Sequence, residues 1–274
     1  MTSVPQTTLN NGVRMPQLGF GVWRVPDSEA VRAVGEALRV GYRSIDTAAM
    51  YRNESGVGRA IAESGLDRAE LFVTTKLNNP DHGHDQALRA FDDSARRLGL
   101  EQVDLYLIHW PQPGLDRYVE TWRALQRLYS DGRVRAVGVS NFTDAHLRRL
   151  FDETDIVPAV NQIELHPYLA QSQMRAFHAE HGIATEAWSP LGQGGALLSD
   201  PVITSLADKY ARTPAQIVLR WHLQLGNLVI PKSVTPSRIA ENFDVFGFEL
   251  AQDDMDSIGE LDRGGRIGPD PDSV

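Results

Sequence analysis

The sequence predicts an α/β protein: a (β/α)8 TIM barrel with an N-terminal β-hairpin and a C-terminal loop. Short β-branched or apolar runs alternate with longer segments of helical periodicity, eight such pairs can be counted, and no linker or change of composition interrupts them. Repeated strand–helix units favour parallel strands joined by right-handed crossovers. Eight of them favour a closed barrel over an open sheet. We therefore expect residues 1–274 to form a single barrel domain.

The first elements are predicted from turn and capping signals. The segment TTLNNGVRMP is typical of a hairpin that turns at Asn11 and Gly12, and such a hairpin would close the bottom of the barrel. Gln17–Gly21 is the first predicted barrel strand. The first helix is predicted over Ser28–Val40, because apolar residues recur there with helical spacing and Gly41 supplies a stop signal.

The later elements continue the alternation. Seven further strands are predicted, and they are Arg43–Asp46, Leu71–Lys76, Val103–His109, Val134–Ser140, Ala159–Glu164, Ile183–Trp188 and Leu228–Lys232. Helices are predicted over Glu54–Ser64, Asp85–Leu98, Leu115–Tyr129, Thr143–Phe151, Ser172–His181, Pro201–Tyr210, Pro214–Leu225 and Pro236–Phe246. The tail from Gly264 is rich in glycine and proline, and we expect it to be irregular.

Composition excludes several classes of protein. The chain has 27 Lys and Arg against 36 Asp and Glu, a net charge of −9, which disfavours a nucleic-acid or anionic-membrane surface. Because it has no cysteine, it has no disulfide, thiolate nucleophile or cysteine-based zinc site. Neither a membrane-spanning run nor the layout of a signal peptide is found in the sequence. We expect a cytoplasmic protein, and a monomer by default.

Polar, charged or large aromatic residues stand at seven successive predicted strand ends. In a (β/α)8 barrel the active site lies at the C-terminal ends of the strands. Simple loop beginnings would instead be rich in small turn-forming residues. The sequence therefore predicts a functional site on this rim, formed by Asp46, Lys76, His109, Ser140 with Asn141, Gln162, Trp188 and Lys232.

Three of these side chains, together with Tyr51, suit acid–base chemistry. A carboxylate at Asp46 would keep Lys76 charged, and the ammonium would favour tyrosinate and so lower the pKa of Tyr51. A tyrosine tuned in this way can exchange a proton near neutral pH, and His109 beside it can orient a carbonyl oxygen. The alternative is a rim salt bridge with a half-buried tyrosine, and a core histidine at position 109.

This set lacks a hydride source, so a cofactor is expected. Lys232, Ser233, Thr235 and Arg238 lie where a strand end meets a helix N-terminus, which favours phosphate binding. Two cations on an acidic protein suggest the 2′-phosphate of NADPH, although they could be solvated surface cations. A nicotinamide ring would find a flat face on Trp188, and hydrogen bonds to its carboxamide from Ser140, Asn141 and Gln162.

Several long motifs resemble the aldo-keto reductase superfamily. GYRSIDTAAMYRNE (Gly41–Glu54) is similar to its first signature, and VTTK and VDLYLIHWP are similar to the segments that carry its lysine and histidine. GVSNF, VNQIELHP and IPKSVTPSRIAEN resemble its cofactor-binding segments. The resemblance covers nearly the whole chain and is nearest to the prokaryotic 2,5-diketo-D-gluconic acid reductase group, Trp188 included.

The resemblance implies that NADPH transfers a hydride to an aldehyde or ketone and that Tyr51 protonates the developing alkoxide. Lys76 and Asp46 would tune Tyr51, and His109 would orient the carbonyl. The implied cofactor-binding residues are Ser140, Asn141, Gln162 and Trp188 at the nicotinamide, Ser189, Leu191 and Gly192 near the pyrophosphate, Lys232, Ser233, Val234 and Arg238 at the 2′-phosphate, and Glu241 and Asn242 near the adenine.

Substrate choice is less well defined by the sequence. The implied pocket walls are Trp23, Met50 and Trp110, and Asn78 stands where many relatives have a tryptophan. This change should open or polarise the pocket. Serine replaces the family's usual histidine at Ser44, a position that is not catalytic. Small carbonyls, dicarbonyls and keto-sugars remain possible substrates.

Other interpretations were weighed. Lys76 could be the Schiff-base nucleophile of a barrel aldolase or lyase, which would require an unpaired, desolvated lysine. A redox-sensing module that holds NADPH without turnover is the other alternative. His166 is interpreted as structural, and DHGHD (Asp81–Asp85) as an exposed polar loop rather than a metal site, because no third ligand is evident.

Overall fold

The computed structural model describes residues 4–274. The first element in this part of the chain is the predicted hairpin. Strand β1 (Gln6–Thr8) pairs antiparallel with β2 (Arg14–Pro16), and Gly12 at the turn has a φ of 85°. Leu9 and Met15 are buried in the hydrophobic cluster that fills the barrel between its strands. The hairpin therefore covers the bottom of the barrel, as predicted.

Eight parallel strands form the barrel. Their order in space follows the chain: β3 (Phe20–Gly21), β4 (Ser44–Asp46), β5 (Phe72–Leu77), β6 (Val103–Ile108), β7 (Val134–Ser140), β8 (Val160–Glu164), β9 (Ala184–Trp188) and β10 (Leu228–Val229). The last strand returns to the first, because Val229 N donates to Gln17 O at 3.0 Å and Gly19 N donates to Val229 O at 2.8 Å. The predicted (β/α)8 fold is confirmed.

Helices follow the strands around the outside. They are α1 (Asp27–Val40), α2 (Glu54–Glu63), α3 (His84–Leu98), α4 (Tyr118–Ser130), α5 (Asp144–Glu153), α6 (Ser172–Glu180), α7 (Pro201–Tyr210), α8 (Pro214–Gln224), α9 (Pro236–Phe243) and α10 (Gln252–Gly259). None of the helices in residues 4–274 is long and apolar enough to cross a membrane.

The structure corrects some predicted boundaries. Helix α4 starts three residues later than predicted, after a turn that ends at Arg117. Strand β10 ends at Val229, two residues before Pro231, which has no amide hydrogen for a ladder, although the Pro231 carbonyl still accepts from Gly21 N at 3.1 Å. Helix α10 was not predicted at all; its buried face contains Met255 and Ile258.

Local signals explain how the helices are held in place. Helix α8 begins with a capping box, in which the Thr213 side chain accepts from Gln216 N and the Gln216 side chain accepts from Thr213 N. Helix α2 packs closely on α3 through Gly58, where an added Cβ would lie 2.3 Å from Leu98 O. The cap thus fixes the start of α8, and the close approach at Gly58 fixes α2 against α3.

Candidate active site

The four predicted catalytic side chains lie together at the C-terminal rim of the barrel. Asp46 is the last residue of β4, Lys76 is one residue before the end of β5, and His109 directly follows β6. Tyr51 comes from the 3-10 turn Ala49–Tyr51 that follows β4. Neighbouring parallel strands thus bring together residues that are far apart in the chain.

Lys76 is the centre of this group. Its Nζ donates to Asp46 Oδ1 at 2.6 Å, to the Thr47 carbonyl at 3.0 Å and to the Tyr51 hydroxyl at 3.4 Å. The Lys76 side chain has no exposed surface. Burial lowers the pKa of Lys76, but Asp46 and Tyr51 raise it by more, so the net pKa lies above the ordinary value of a lysine. Lys76 is therefore a charged, paired lysine, which disfavours the Schiff-base interpretation.

Tyr51 differs from the expectation in one respect. Burial of its hydroxyl is the largest influence and raises the pKa of Tyr51; Lys76 lowers it, and the charges of Asp46 and Glu186 raise it further. The pKa is consequently raised, whereas a lowered pKa was predicted from the neighbouring cation alone. The ammonium of Lys76 nevertheless stabilises any negative charge that forms on the Tyr51 oxygen, so the pair remains suited to proton transfer.

His109 is neutral in this environment. Burial lowers the pKa of His109 well below the ordinary value, and the nearby charge of Lys76 lowers it further. Its ring lies edge-on to that of Tyr51, with 5.6 Å between centroids. Within residues 4–274, its buried Nδ1 has no hydrogen-bond partner. A neutral imidazole beside Tyr51 can orient a carbonyl by hydrogen bonding without competing as a strong acid.

Gln162 connects this group to a carboxyl group that was not predicted. Its Nε2 donates to Asp46 Oδ2 at 2.8 Å and to Glu186 Oε2 at 2.8 Å. Gln162 lies within β8, two residues before the strand ends, and Glu186 faces it from β9. The sequence does contain a signal for Glu186, because a charged residue in the middle of the apolar strand IATEAW needs a buried partner. Attention to strand ends alone misses it.

Asn141 holds a second group together on the neighbouring strands. Its Nδ2 donates to the His109 carbonyl at 3.0 Å and to Ser140 Oγ at 3.1 Å, and its Oδ1 accepts from Trp188 Nε1 at 2.8 Å. The hydroxyl of Ser140 donates to the Gln162 carbonyl at 2.8 Å. The half-buried indole of Trp188 is thereby connected through Asn141 to the backbone of His109.

The predicted pyrophosphate residues form a turn after β9. Ser189 and Gly192 have φ values of 49° and 58°, so the backbone there bends sharply, and Leu191 is half-buried. Left-handed and turn conformations direct successive amide groups to one side, an arrangement that can bind an anion. This turn follows Trp188 directly in the chain.

The predicted phosphate cluster lies after β10, and no hydrogen bond or salt bridge joins it to the four catalytic candidates among residues 4–274. Lys232 and Arg238 are exposed, and neither forms a salt bridge within this part of the chain. Ser233 is buried and its Oγ accepts from Thr235 N at 3.1 Å, and Val234 is half-buried. Arg238 belongs to the first turn of α9.

The two residues predicted near the adenine have different surroundings. The Oε1 of Glu241 accepts a hydrogen bond from Thr213 Oγ1 at 2.8 Å, and Thr213 is the N-cap residue of α8. Asn242 is buried. Both lie on α9, the helix that begins beside the phosphate cluster.

The four substrate-pocket candidates differ in how exposed they are. Trp23 and Met50 are each 38% exposed, an unusual degree for large apolar side chains. Trp110 is buried, and its carbonyl bonds to His82 Nε2 at 3.0 Å. Asn78 Oδ1 accepts from Asn79 N at 3.0 Å, so this side chain caps the turn that follows β5.

The remaining histidines have structural contacts. His166 Nε2 lies 3.0 Å from Glu164 Oε1, as expected for a structural histidine. The loop DHGHD is not wholly exposed, which corrects the prediction: His82 is buried between Trp110 and Thr121. Within residues 4–274, no three His, Asp or Glu side chains are arranged to hold a metal ion.

The C-terminal segment also reaches the rim. Glu164, with no exposed side-chain surface, accepts from Ile267 N at 2.6 Å and from Gly268 N at 2.8 Å. A Cβ on Gly268 would lie 2.5 Å from Trp188 Cη2. Glu164 therefore holds this segment directly against the Trp188 ring, a contact that the sequence analysis did not predict.

Comparisons with known proteins identify the family of the chain. The family model "Aldo/keto reductase family" matches residues 16–263. An aldo-keto reductase of Mycolicibacterium smegmatis is 58% identical over 267 residues, 97% of each chain. Methylglyoxal reductase DkgA of Escherichia coli K12 is 54% identical over 265 residues, 96% of each chain.

The solved structures give the same result. A mutant of Gox0644 in complex with NADPH superposes with a TM-score of 0.96 at 51% identity, covering 100% of this chain and 99% of that one. An aldo/keto reductase from Brucella melitensis has a TM-score of 0.92 at 56% identity, covering 95% of this chain and 100% of that one. The predicted family is thus confirmed, and the chain belongs to the aldo/keto reductase family.

Proposed function

We propose that this protein reduces aldehydes or ketones to alcohols with NADPH, and that Tyr51 supplies the proton. The observation that carries the proposal is the buried contact of Lys76 Nζ with Asp46 at 2.6 Å and with the Tyr51 hydroxyl at 3.4 Å. This contact places the positive charge of Lys76 beside the hydroxyl of Tyr51, which is the O–H donor among these three side chains. The named relatives, a methylglyoxal reductase and an NADPH complex, support the same reaction class.

The residues divide the work of proton transfer. Tyr51 donates its proton to the oxygen of the reacting carbonyl, and Lys76 stabilises the tyrosinate that remains. Asp46 keeps Lys76 charged and directed at Tyr51. Neutral His109 hydrogen-bonds the carbonyl oxygen and so aligns it with the Tyr51 hydroxyl.

The residues also fit NADPH, which supplies the hydride when bound. Trp188 offers the face of a half-buried indole whose Nε1 is already bonded to Asn141, so the ring is fixed for stacking. Ser140, Asn141 and Gln162 lie beside it for the carboxamide, and the turn at Ser189, Leu191 and Gly192 suits the pyrophosphate. Exposed Lys232 and Arg238, with Ser233 and Val234, suit the 2′-phosphate, and Glu241 and Asn242 the adenine.

We take dicarbonyls such as methylglyoxal as the first substrates to test, with Trp23, Met50, Asn78 and Trp110 as the pocket. We expect the exposed side chains of Trp23 and Met50 to form an apolar entrance to this pocket. A small dicarbonyl needs little apolar contact, which suits a pocket where Asn78 replaces an indole. Keto-sugars are the second class to test.

The proposal is tested with Tyr51→Phe, which removes one hydroxyl and keeps the ring. Loss of the general acid should lower kcat for methylglyoxal by about 10²–10⁴-fold. The Kd for NADPH, measured by fluorescence titration, should stay within about twofold. Tyr129→Phe, a half-buried tyrosine on α4, is the control and should retain activity. Normal turnover by Tyr51→Phe would remove Tyr51 as the proton donor.

Single-turnover measurements separate a reductase from an NADPH sensor. When the native protein is loaded with NADPH and mixed with methylglyoxal, the bound NADPH should be oxidised at a rate at least equal to kcat. A tightly bound cofactor that stays reduced would favour the sensor.

We also propose a single-domain monomer of the cytoplasm. The continuous eight-strand sheet and the net charge of −9 support one soluble unit, and the lack of cysteine suits a reducing compartment. Light scattering on the purified protein should give one protomer's mass, 30.4 kDa.

A further inference from the structure

Glu186 is a buried carboxyl group for which the proposed mechanism has no use. It lies on β9, two residues before Trp188, and only 1% of its surface is exposed. Its Oε2 accepts from Gln162 Nε2 at 2.8 Å, and within residues 4–274 its buried Oε1 has no hydrogen-bond partner. An ionised carboxylate with a buried oxygen that lacks a partner is strongly disfavoured.

The charges around Glu186 lead to the same conclusion. Strands β4 and β5 supply Asp46 and Lys76, the turn after β4 supplies Tyr51, and the neighbours of Glu186 in register are the uncharged Gln162 and Leu228. This site contains one ammonium and two carboxyl groups. Lys76 is bonded directly to Asp46, and it has no hydrogen bond to Glu186 in the described chain. One carboxylate balances the ammonium, so a second would leave a net negative charge in a dry site.

We propose that Glu186 is a positioning residue of the reductase: as a neutral carboxylic acid it fixes the amide of Gln162 and leaves Asp46 as the only charged partner of Lys76. This inference rests on the proposed function, because its effect is exerted through Tyr51 and Lys76. Burial and the nearby Asp46 raise the pKa of Glu186 to about 8, which agrees with a protonated group at neutral pH.

The amide of Gln162 shows how this positioning works. Both hydrogens of its Nε2 are used, one on Asp46 and one on Glu186, so the plane of the amide is fixed by the two carboxyl groups. Gln162 is also the residue proposed to meet the carboxamide of the cofactor. Without an acceptor at position 186 the amide can rotate, and both cofactor binding and the Asp46–Lys76 pair would be disturbed.

Ionisation of Glu186 should also slow the reaction. Negative charge at this position raises the pKa of Tyr51, because it opposes formation of the tyrosinate. Proton donation by Tyr51 therefore becomes less favourable as Glu186 loses its proton. The reductase should lose rate on the alkaline side of the pKa of Glu186, by about tenfold, because charges interact more strongly in a buried site than in water.

Infrared difference spectroscopy tests the protonation directly. Spectra of the native protein between about pH 6 and pH 10 should show loss of the C=O stretch of a buried carboxylic acid. Glu186→Gln should lack this change, and Glu180→Gln, an exposed control at the end of α6, should keep it. Absence of the band from the native protein at low pH would overturn the proposal, whatever the enzymatic activity proves to be.

Kinetics test the positioning role. Glu186→Gln keeps an acceptor for Gln162 and cannot ionise, so its kcat should lack the alkaline decline of the native enzyme. Glu186→Ala removes the acceptor, and its NADPH Kd should rise about tenfold above that of Glu186→Gln. An unchanged alkaline decline in Glu186→Gln, or equal cofactor affinity in the two variants, would overturn the inference. Failure of all variants and of the native protein to reduce carbonyls would instead contradict the proposed function.

Discussion

Trp188 Nε1 donates a hydrogen bond to Asn141 Oδ1 at 2.8 Å, which joins the ends of β9 and β7 across the strand between them. The same asparagine donates to the carbonyl of His109 at 3.0 Å. One amide therefore fixes both the ring proposed to stack on the nicotinamide and the backbone of the residue proposed to orient the substrate. We therefore expect a change at Asn141 to affect both cofactor binding and carbonyl orientation.

Asn141→Ala should weaken the binding of NADPH. Loss of the acceptor frees the indole of Trp188, and a typical hydrogen bond contributes about 1 kcal/mol, so the Kd should rise about five- to tenfold. Fluorescence titration with NADPH measures this change. Trp188→Phe provides the comparison, since it keeps an aromatic face but has no N–H to donate. If Asn141→Ala bound NADPH as tightly as the native protein, the fixed indole would not matter for affinity.

Glu164→Gln should loosen the C-terminal segment. The carboxylate accepts from Ile267 N and Gly268 N, and an amide in its place would direct a donor at one of these donors. Hydrogen bonds to charged groups contribute about 1.5–3 kcal/mol, so exchange protection of these two amides should fall at least about tenfold. Hydrogen exchange of the C-terminal peptide measures it, with exposed Glu260→Gln as control. Unchanged protection would mean that packing of Gly268 on Trp188 alone holds the segment.

The barrel and the rim residues could be predicted because their signals are local. Strand-then-helix alternation repeats eight times, and Asp46, Lys76 and His109 stand at or beside the ends of apolar runs. Helix α10 was missed although Met255 and Ile258 show helical spacing, because the preceding chain has no strand to pair with it. A search for strand–helix pairs does not detect a helix that follows no strand.

Contacts that depend on the fold could not be predicted in the same way. The raised pKa of Tyr51 follows from burial, which the presence of Lys76 in the sequence does not reveal. Glu164 and Gly268 are 104 residues apart in the chain. Only closure of the barrel brings the tail across β8 and β9 onto Trp188.

Stability should fall in acid because of a buried histidine. His178 bonds to Asn161 Nδ2 at 3.0 Å and Thr185 Oγ1 at 2.8 Å, and burial lowers its pKa to about 4. The folded pKa lies below the unfolded value of about 6.5, so the contribution is present above that value and is lost as pH falls towards 4. Between about pH 7 and pH 4.5 the native protein should lose about 2 kcal/mol more unfolding free energy than His178→Gln.

Urea unfolding at the two pH values measures this difference. His84→Gln is the control, because His84 is a partly exposed histidine bonded to its neighbour Asp85. That variant should lose as much stability in acid as the native protein. Equal losses in His178→Gln and the native protein would show that other groups, the carboxylates among them, cause the acid sensitivity.

Arg238→Ala should weaken NADPH much more than NADH. The two cofactors differ only in the 2′-phosphate, and Arg238 is an exposed cation in the first turn of α9 with no salt bridge in the described chain. A charge-assisted hydrogen bond contributes about 1.5–3 kcal/mol, so the Kd of NADPH should rise about 10- to 100-fold and that of NADH by less than about twofold. Arg89→Ala, which removes another exposed arginine, controls for net charge. Equal losses for the two cofactors would place the 2′-phosphate elsewhere, because a residue that binds only this group has no contact to lose in NADH.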